Sequence, residues 1–238
     1  MNEIAALLQA LERQDKRALR AAVDALIPIA RASSDVGEKL GALIEILEQV
    51  QRWPFAYVLA HLPQPRSSAI ETLLQTLGAQ DAEIRWAVAL LLVKLAREEE
   101  SVSRRLLETL AGGNELQRRM AVYCIRDLNL SDRASLQALM DALSDRDPMV
   151  RVAAVSSLKN RADFGPPQAS ALLRLVLRDP DSRVKNAALI SLALLAADSL
   201  EFEQALSEAC SDADPRVRRC AAQAVALLQK KRPAPSSG

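Results

Sequence analysis

The sequence predicts an all-α protein, a right-handed α-solenoid of about seven two-helix repeats. Three observations carry that prediction. One segment recurs at a nearly constant period: the stretch from Asp147 to Leu158 returns from Asp181 to Leu192 and again from Asp214 to Val225, with anchors 34 and 33 residues apart. Composition is 50% hydrophobic but only 3% aromatic, which suits Ala/Leu-rich helices better than a sheet. No run of alternating Val, Ile and Thr has the period of a strand. A period near 33 residues is that of stacked helical hairpins.

The anchor sets the register. Steps of 33 back from Asp147 land on Asn114, Asp81, Glu48 and Asp15. Six of these seven anchors are Asp or Asn, side chains that accept from the free N–H groups of a helix's first turn. Pro148 and Pro215 follow at the first helical position, where a missing N–H costs nothing. Four residues after the anchor stand Leu19, Arg52, Arg85, Arg118, Arg151, Lys185 and Arg218. Seven after it stand Ala22, Phe55, Val88, Ala121, Ala154, Ala188 and Ala221; eleven after it, Leu26, Leu59, Leu92, Ile125, Leu158, Leu192 and Val225. Apolar residues four apart share one helical face. Offsets 3, 7 and 11 therefore face the core, and offsets 5, 9 and 12 the opposite side.

In chain order, the first pair of helices is expected over about 2–13 and 16–32, with Pro28 as a kink. Repeat 2 begins with a helix over about 36–51. Its second helix is expected to start near Trp53, because Pro54 is best tolerated in a first turn, and to end by Pro63-Gln64-Pro65. Repeats 3 and 4 place helices over 67–77, 82–97, 99–111 and 115–128, with Gly112-Gly113 ending the third of them. Repeats 5 to 7 place them from the Ser131-Asp132 cap to 143, then over 148–160, from Gly165-Pro166-Pro167 to 177, and over 182–196, 199–210 and 215–231. The expected organisation is one solenoid over 1–231, irregular over 1–64 and regular over 65–231. The Pro/Ser/Gly-rich residues 232–238 read as a disordered tail.

The pattern Asp-Pro-x-Val-Arg-x-Ala-Ala-x-x-Leu resembles the HEAT repeat, and more narrowly the HEAT-like repeats first named in phycobiliprotein lyases. The resemblance runs from about Asp15 to Lys230, is strongest from Asp147 to Leu227, and is poor before Gln64. It implies that the basic column (Arg52, Arg85, Arg118, Arg151, Lys185 and Arg218) is a structural ladder bonded to loop carboxylates, for which Asp147, Asp181 and Asp214 are candidates. It also implies that the second helices line a concave surface.

That inner wall would present Trp53, Tyr57 and Ala60; Trp86, Leu90 and Val93; Arg119, Tyr123 and Arg126; Val152, Ser156 and Lys159; Asn186, Ile190 and Ala193; and Arg219, Gln223 and Ala226. Both Trp and both Tyr of the chain fall on it. Trp, Tyr and Arg dominate interface hot spots, so the expected partner-binding residues are Trp53, Tyr57, Trp86, Leu90, Val93, Arg119, Tyr123 and Arg126.

The same residues bound the chemistry. A net charge of +1 argues against nucleic acid or an anionic membrane as partner. Cys124, Cys210 and Cys220 stand at apolar repeat positions and read as buried, reduced thiols of a cytoplasmic protein. His61 is the sole histidine, which leaves no multi-His metal site and no base for a conventional triad. The N-terminus has no basic region of a signal peptide, and no apolar run reaches membrane-spanning length. The pairs Asp145/Asp147, Asp179/Asp181 and Asp212/Asp214 sit at helix starts and read as caps, not as acid–base pairs. The expectation is thus a non-catalytic adaptor for another protein, with no metal and no cofactor. Two alternatives follow from resemblance. One is a bilin-handling subunit of the lyase or phycobilisome-degradation type, holding tetrapyrrole propionates on Arg119 and Arg126. The other is a HEAT-like DNA alkylation-repair glycosylase, for which the predicted wall lacks an Asp, the nearest being Asp127.

Overall fold

The computed structural model describes residues 3–11, 16–64, 67–129, 132–195 and 199–231. All regular structure among them is helical: α1 (Glu3–Leu11), α2 (Lys16–Ala32), α3 (Ser34–Ile46), α4 (Gln49–Leu59), α5 (Ser67–Thr76), α6 (Ala82–Glu98), α7 (Glu100–Gly112), α8 (Glu115–Leu128), α9 (Arg133–Ala142), α10 (Pro148–Lys159), α11 (Pro166–Arg178), α12 (Ser182–Leu194), α13 (Leu200–Cys210) and α14 (Pro215–Lys231). The anchor Asp15, Pro65, Ser131 and the tail 232–238 lie outside the described residues. The chain forms two compact units, residues 1–124 and 125–238, with the division inside α8. In the first unit α1 packs on α2, α3 on α4 and α5 on α6, while α2 and α4 meet across repeats. In the second, α9 pairs with α10, α11 with α12 and α13 with α14, and the second helices α10, α12 and α14 pack in succession.

The anchors cap as their chemistry demands. Asp81 accepts from Glu83 N (2.9 Å) and Asp147 from Met149 N (2.8 Å) and Val150 N (3.1 Å). Asp181 and Asp214 accept from Arg183 N and Arg216 N, each at 2.8 Å. Asn114 and Gln117 exchange backbone-to-side-chain bonds at 2.9 and 3.0 Å, a capping box that satisfies two free donors at once. Asn129 closes α8 at φ 50, the left-handed position that Asn tolerates. The core register holds throughout: all seven residues at offset 7, from Ala22 to Ala221, are at most 2% exposed.

Three expectations are corrected. First, α4 begins directly after Glu48 and carries Pro54 in its interior. Pro54 forfeits one helical bond, but Phe55, Ala56, Val58 and Leu59 are each 0% exposed, and burying such side chains contributes about 1.5–3 kcal/mol apiece for the larger ones. Packing therefore outweighs the local cost. Second, Gly113 ends α7 without a left-handed residue, at φ −72. It is glycine for room: a Cβ would lie 2.7 Å from the Thr109 carbonyl and 2.8 Å from Gln117 Cβ. Third, Cys124 and Cys220 are buried but Cys210 is exposed. Cys210 is the last residue of α13, whose core face is Phe202, Ala205, Leu206 and Ala209, and it points away from that face.

The basic column is a ladder, built differently from the expectation. Its five arginines donate to carbonyls of the turn before their own helix: Arg52 to Leu47 O (2.6 Å), Arg85 to Ala79 O (2.6 Å), Arg118 to Gly113 O (2.7 Å), Arg151 to Asp145 O (2.8 Å) and Arg218 to Asp212 O (2.7 Å). The carboxylate partners are not Asp147, Asp181 or Asp214, which are occupied as caps. Arg151 binds Asp179 through two 2.8 Å bonds, and Lys185 binds Asp212 at 2.6 Å. Asp145, Asp179 and Asp212 in turn accept from the N–H of the anchor two residues on, at 2.8, 2.9 and 2.8 Å. The six acidic residues thus divide their work: the first of each pair braces the turn, and the second caps the helix.

The Arg151–Asp179 pair is buried, with side-chain exposures of 10% and 3%. Removing one member strands the other charge. Asp179→Ala is therefore expected to lower unfolding free energy by about 3–5 kcal/mol in urea titration; a loss under about 1 kcal/mol would mean that water replaces the carboxylate. The Arg183 guanidinium beside Asp181 holds its carboxyl down to about 2, and Arg216 does the same for Asp214. Both lie below the unfolded value near about 3.9, so their stabilisation is complete above pH ~4 and is lost as pH falls through about 2. Carboxyl NMR titration of wild type beside Arg183→Gln should show Asp181 titrating higher in the variant.

Candidate binding face of the second helices

In the first unit, α4, α6 and the start of α8 are second helices of successive repeats, and each turns offsets 5 and 9 away from its core stripe. Trp86 and Leu90, one turn apart on α6, are 42% and 64% exposed. Other exposed large apolar residues of this unit are sparse, Ile46 on α3 being 78% exposed. Tyr123 of α8 stacks on Trp86 with ring centroids 5.3 Å apart and planes 24° from parallel. The α8 backbone is brought close by small residues: Cys124 Sγ reaches the Ala89 carbonyl at 3.8 Å, and both residues are buried. Arg119, one turn before Tyr123, is half-buried and makes no hydrogen bond or ion pair among the described residues. A flat aromatic pair, an exposed leucine and an available guanidinium are thus presented by two adjacent helices. Such a set can bury an apolar side chain and accept an accompanying carboxylate or carbonyl.

The other predicted members fall into three groups. Trp53 and Tyr57 on α4 are half-buried. Tyr57 packs against His61 with centroids 4.9 Å apart, and His61 Nδ1 donates to the Tyr57 carbonyl at 2.8 Å. Burial and the nearby Asp24 carboxylate push the Tyr57 hydroxyl above its ordinary pKa. Arg126 is engaged: its Nε donates to Asp127 Oδ1 at 2.7 Å. Val93 is a correction, since at 6% exposure it is not a surface residue. The reason is geometric. Offset 12 lies 60° around the helix from offset 9, and Ala60 and Ala193 at the same offset are also buried, at 2% and 0%. The exposed strip is narrower than an isolated helical wheel implies, and no signal within a single helix could have shown this.

In the second unit the strip changes character. Val152, Ser156, Lys159, Asn186 and Ile190 are half-buried, and Arg219, Gln223 and Ala226 are exposed. No aromatic stands among them. Among the described residues no group of three His, Cys, Asp or Glu is arranged to hold a metal, and no helix is long and apolar enough to cross a membrane.

Stacked two-helix repeats with capped second helices define the class: this is an α-solenoid repeat protein. Residues 103–193 match the family model of HEAT repeats. Its fold is similar to that of Kap121p, seen in a crystal structure bound to Pho4p, with a TM-score of 0.61 at 14% identity. That match covers 94% of this chain and 29% of Kap121p, so the chain spans under a third of that protein's length. Weaker likenesses include human deoxyhypusine hydroxylase (TM-score 0.44, 16% identity, 96% of each chain) and a designed armadillo repeat protein (TM-score 0.39, 21% identity, 95% of this chain and all of that one). No curated protein matches the sequence.

The two neighbouring positions of α6 should respond oppositely to truncation. Val93→Ala is expected to cost about 1–2.5 kcal/mol of stability and Leu90→Ala less than about 0.5 kcal/mol, by urea denaturation. Equal costs would place both residues in the core and remove Leu90 from the surface.

Proposed function

We propose that the chain is a non-catalytic protein-interaction module that grips a segment of another protein on the exposed strip of its second helices. Trp86, Leu90 and Tyr123 form the centre and Arg119 the polar edge, with Trp53 and Tyr57 extending the strip on α4. The observation that carries this reading is the exposure of Leu90 beside the Trp86–Tyr123 stack. Clustered large apolar side chains gain when covered, at about 25 cal/mol per Å². Repeat solenoids offer such strips on rigid helices, and Kap121p, of similar fold, binds Pho4p. A rigid aromatic anchor also loses little conformational entropy on binding. A non-catalytic role accords with the acidic pairs, whose members are all occupied as turn braces and helix caps.

The test is photo-crosslinking in the native extract, with a benzophenone side chain at position 90 and, as control, at position 223 on the second unit. The reading expects a discrete adduct from position 90 that Trp86→Ala with Tyr123→Ala removes, the double variant retaining its helical circular dichroism. Adducts unchanged by the double substitution would show that the strip is not the binding face.

A further inference from the structure

A second surface lies on the first helices of the second unit. In this unit α11 packs along α13, but α9 makes no comparable contact with α11. The gap between α9 and α11 is a groove of about 500 Å³. Its apolar lining includes Met140 and Leu143 from the α9 side and Leu175 from α11. That volume accommodates one or two large side chains.

The charges of the groove are asymmetric. Its floor is the Arg151–Asp179 pair, which is internally neutral and buried. Asp145 on the α9 side is already an acceptor for the Asp147 N–H. Arg174 and Arg178 line the α11 side, one helical turn apart on the same face. Both are exposed, and neither makes a hydrogen bond or ion pair among the described residues. Elsewhere in the unit Arg151, Arg161, Arg183, Lys185 and Arg216 pair with carboxylates; Arg174 and Arg178 differ from them in lining a groove.

We propose that this groove is a docking site for an acidic peptide segment of a partner protein, one apolar side chain entering between α9 and α11 and two carboxylates on Arg174 and Arg178. Charge complementarity selects the occupant. Arg151, Arg174 and Arg178 against Asp145 and Asp179 leave the groove with an excess of positive charge, and its exposed cations are two guanidiniums at the spacing of acids placed i and i+4 on a helix or alternating along an extended strand. The apolar lining between them and Leu143 supplies burial that a small anion would not use. The site stands on different helices from the Trp86 strip and does not rest on it.

The experiment is a selection of displayed random dodecapeptides on the full chain, counter-screened on Arg174→Glu/Arg178→Glu, followed by fluorescence anisotropy of synthetic versions. Clones lost on the double variant are expected to carry two acidic residues within four positions of a Leu, Ile, Met or Phe. Replacing both acids by Gln should weaken binding about tenfold, as should raising the salt, while Leu90→Glu leaves it unchanged. Clones that bind the double variant equally well, or dependent clones without acidic residues, would overturn the proposal. So would a short single-stranded oligonucleotide that binds through the two arginines when no peptide does, because it would reassign the groove to nucleic acid.

Discussion

The turn between the two helices of each repeat is where the structure is decided. A helix start has N–H groups with no intrahelical partner, and the end of the preceding helix has carbonyls in the same position. From Asp81 onward a carboxylate or amide covers the first set, and arginines such as Arg85, Arg118, Arg151 and Arg218 cover the second. Arg118 and Arg151, at 4% and 9% exposure, can be buried only because their donors are met by turn carbonyls, and for Arg151 also by Asp179. The alanine three positions further along α8, α10, α12 and α14 then lets the neighbouring helix approach. Capping, turn bracing and close packing are one arrangement repeated down the chain.

Where the arrangement reaches across repeats, it couples them. Arg151 stands on α10 and its carboxylate on the turn before α12; Lys185 stands on α12 and its carboxylate on the turn before α14. Each link fixes the spacing of two successive second helices while apolar burial supplies most of the free energy. In the first unit Arg52 and Arg85 reach carbonyls of their own turns, and Glu48 makes no side-chain cap. Its stability rests more heavily on packing, as the buried Phe55 and the tolerated Pro54 show. The aromatic strip is placed on this unit, on helices whose core faces are filled by Val88, Leu92 and Ala121.

Two surfaces use the fold in different ways. The Trp86–Leu90–Tyr123 strip comes from substituting large side chains at offsets 5 and 9, the positions the packing leaves open. The groove between α9 and α11 comes from a lapse in packing between first helices, with arginines on its rim. In both, the backbone is held by the repeat and the side chains at its open positions are free to vary, which is how one scaffold serves many partners.

The sequence by itself determined the helices, the period and the core register. These depend on local rules: an Asp that caps, a Pro that follows the cap in α10 and α14, and apolar residues four apart. Hence Asp81, Asp147 and Asp181 were legible as caps, and the offset-7 residues as core, before any coordinates. What only the tertiary structure decided was the outcome of competition between neighbours. Asp179 and Asp212, not Asp181 and Asp214, hold the ladder, because the anchors' carboxylates are engaged by the first turns of their own helices and by Arg183 and Arg216. Val93 is buried and Leu90 exposed although both looked outward, because a helix packed between two others keeps a narrower free face than one helix alone. Cys210 lies open, and a groove separates α9 from α11, for the same reason: burial belongs to pairs of elements, and a sequence read one helix at a time contains only one member of each pair.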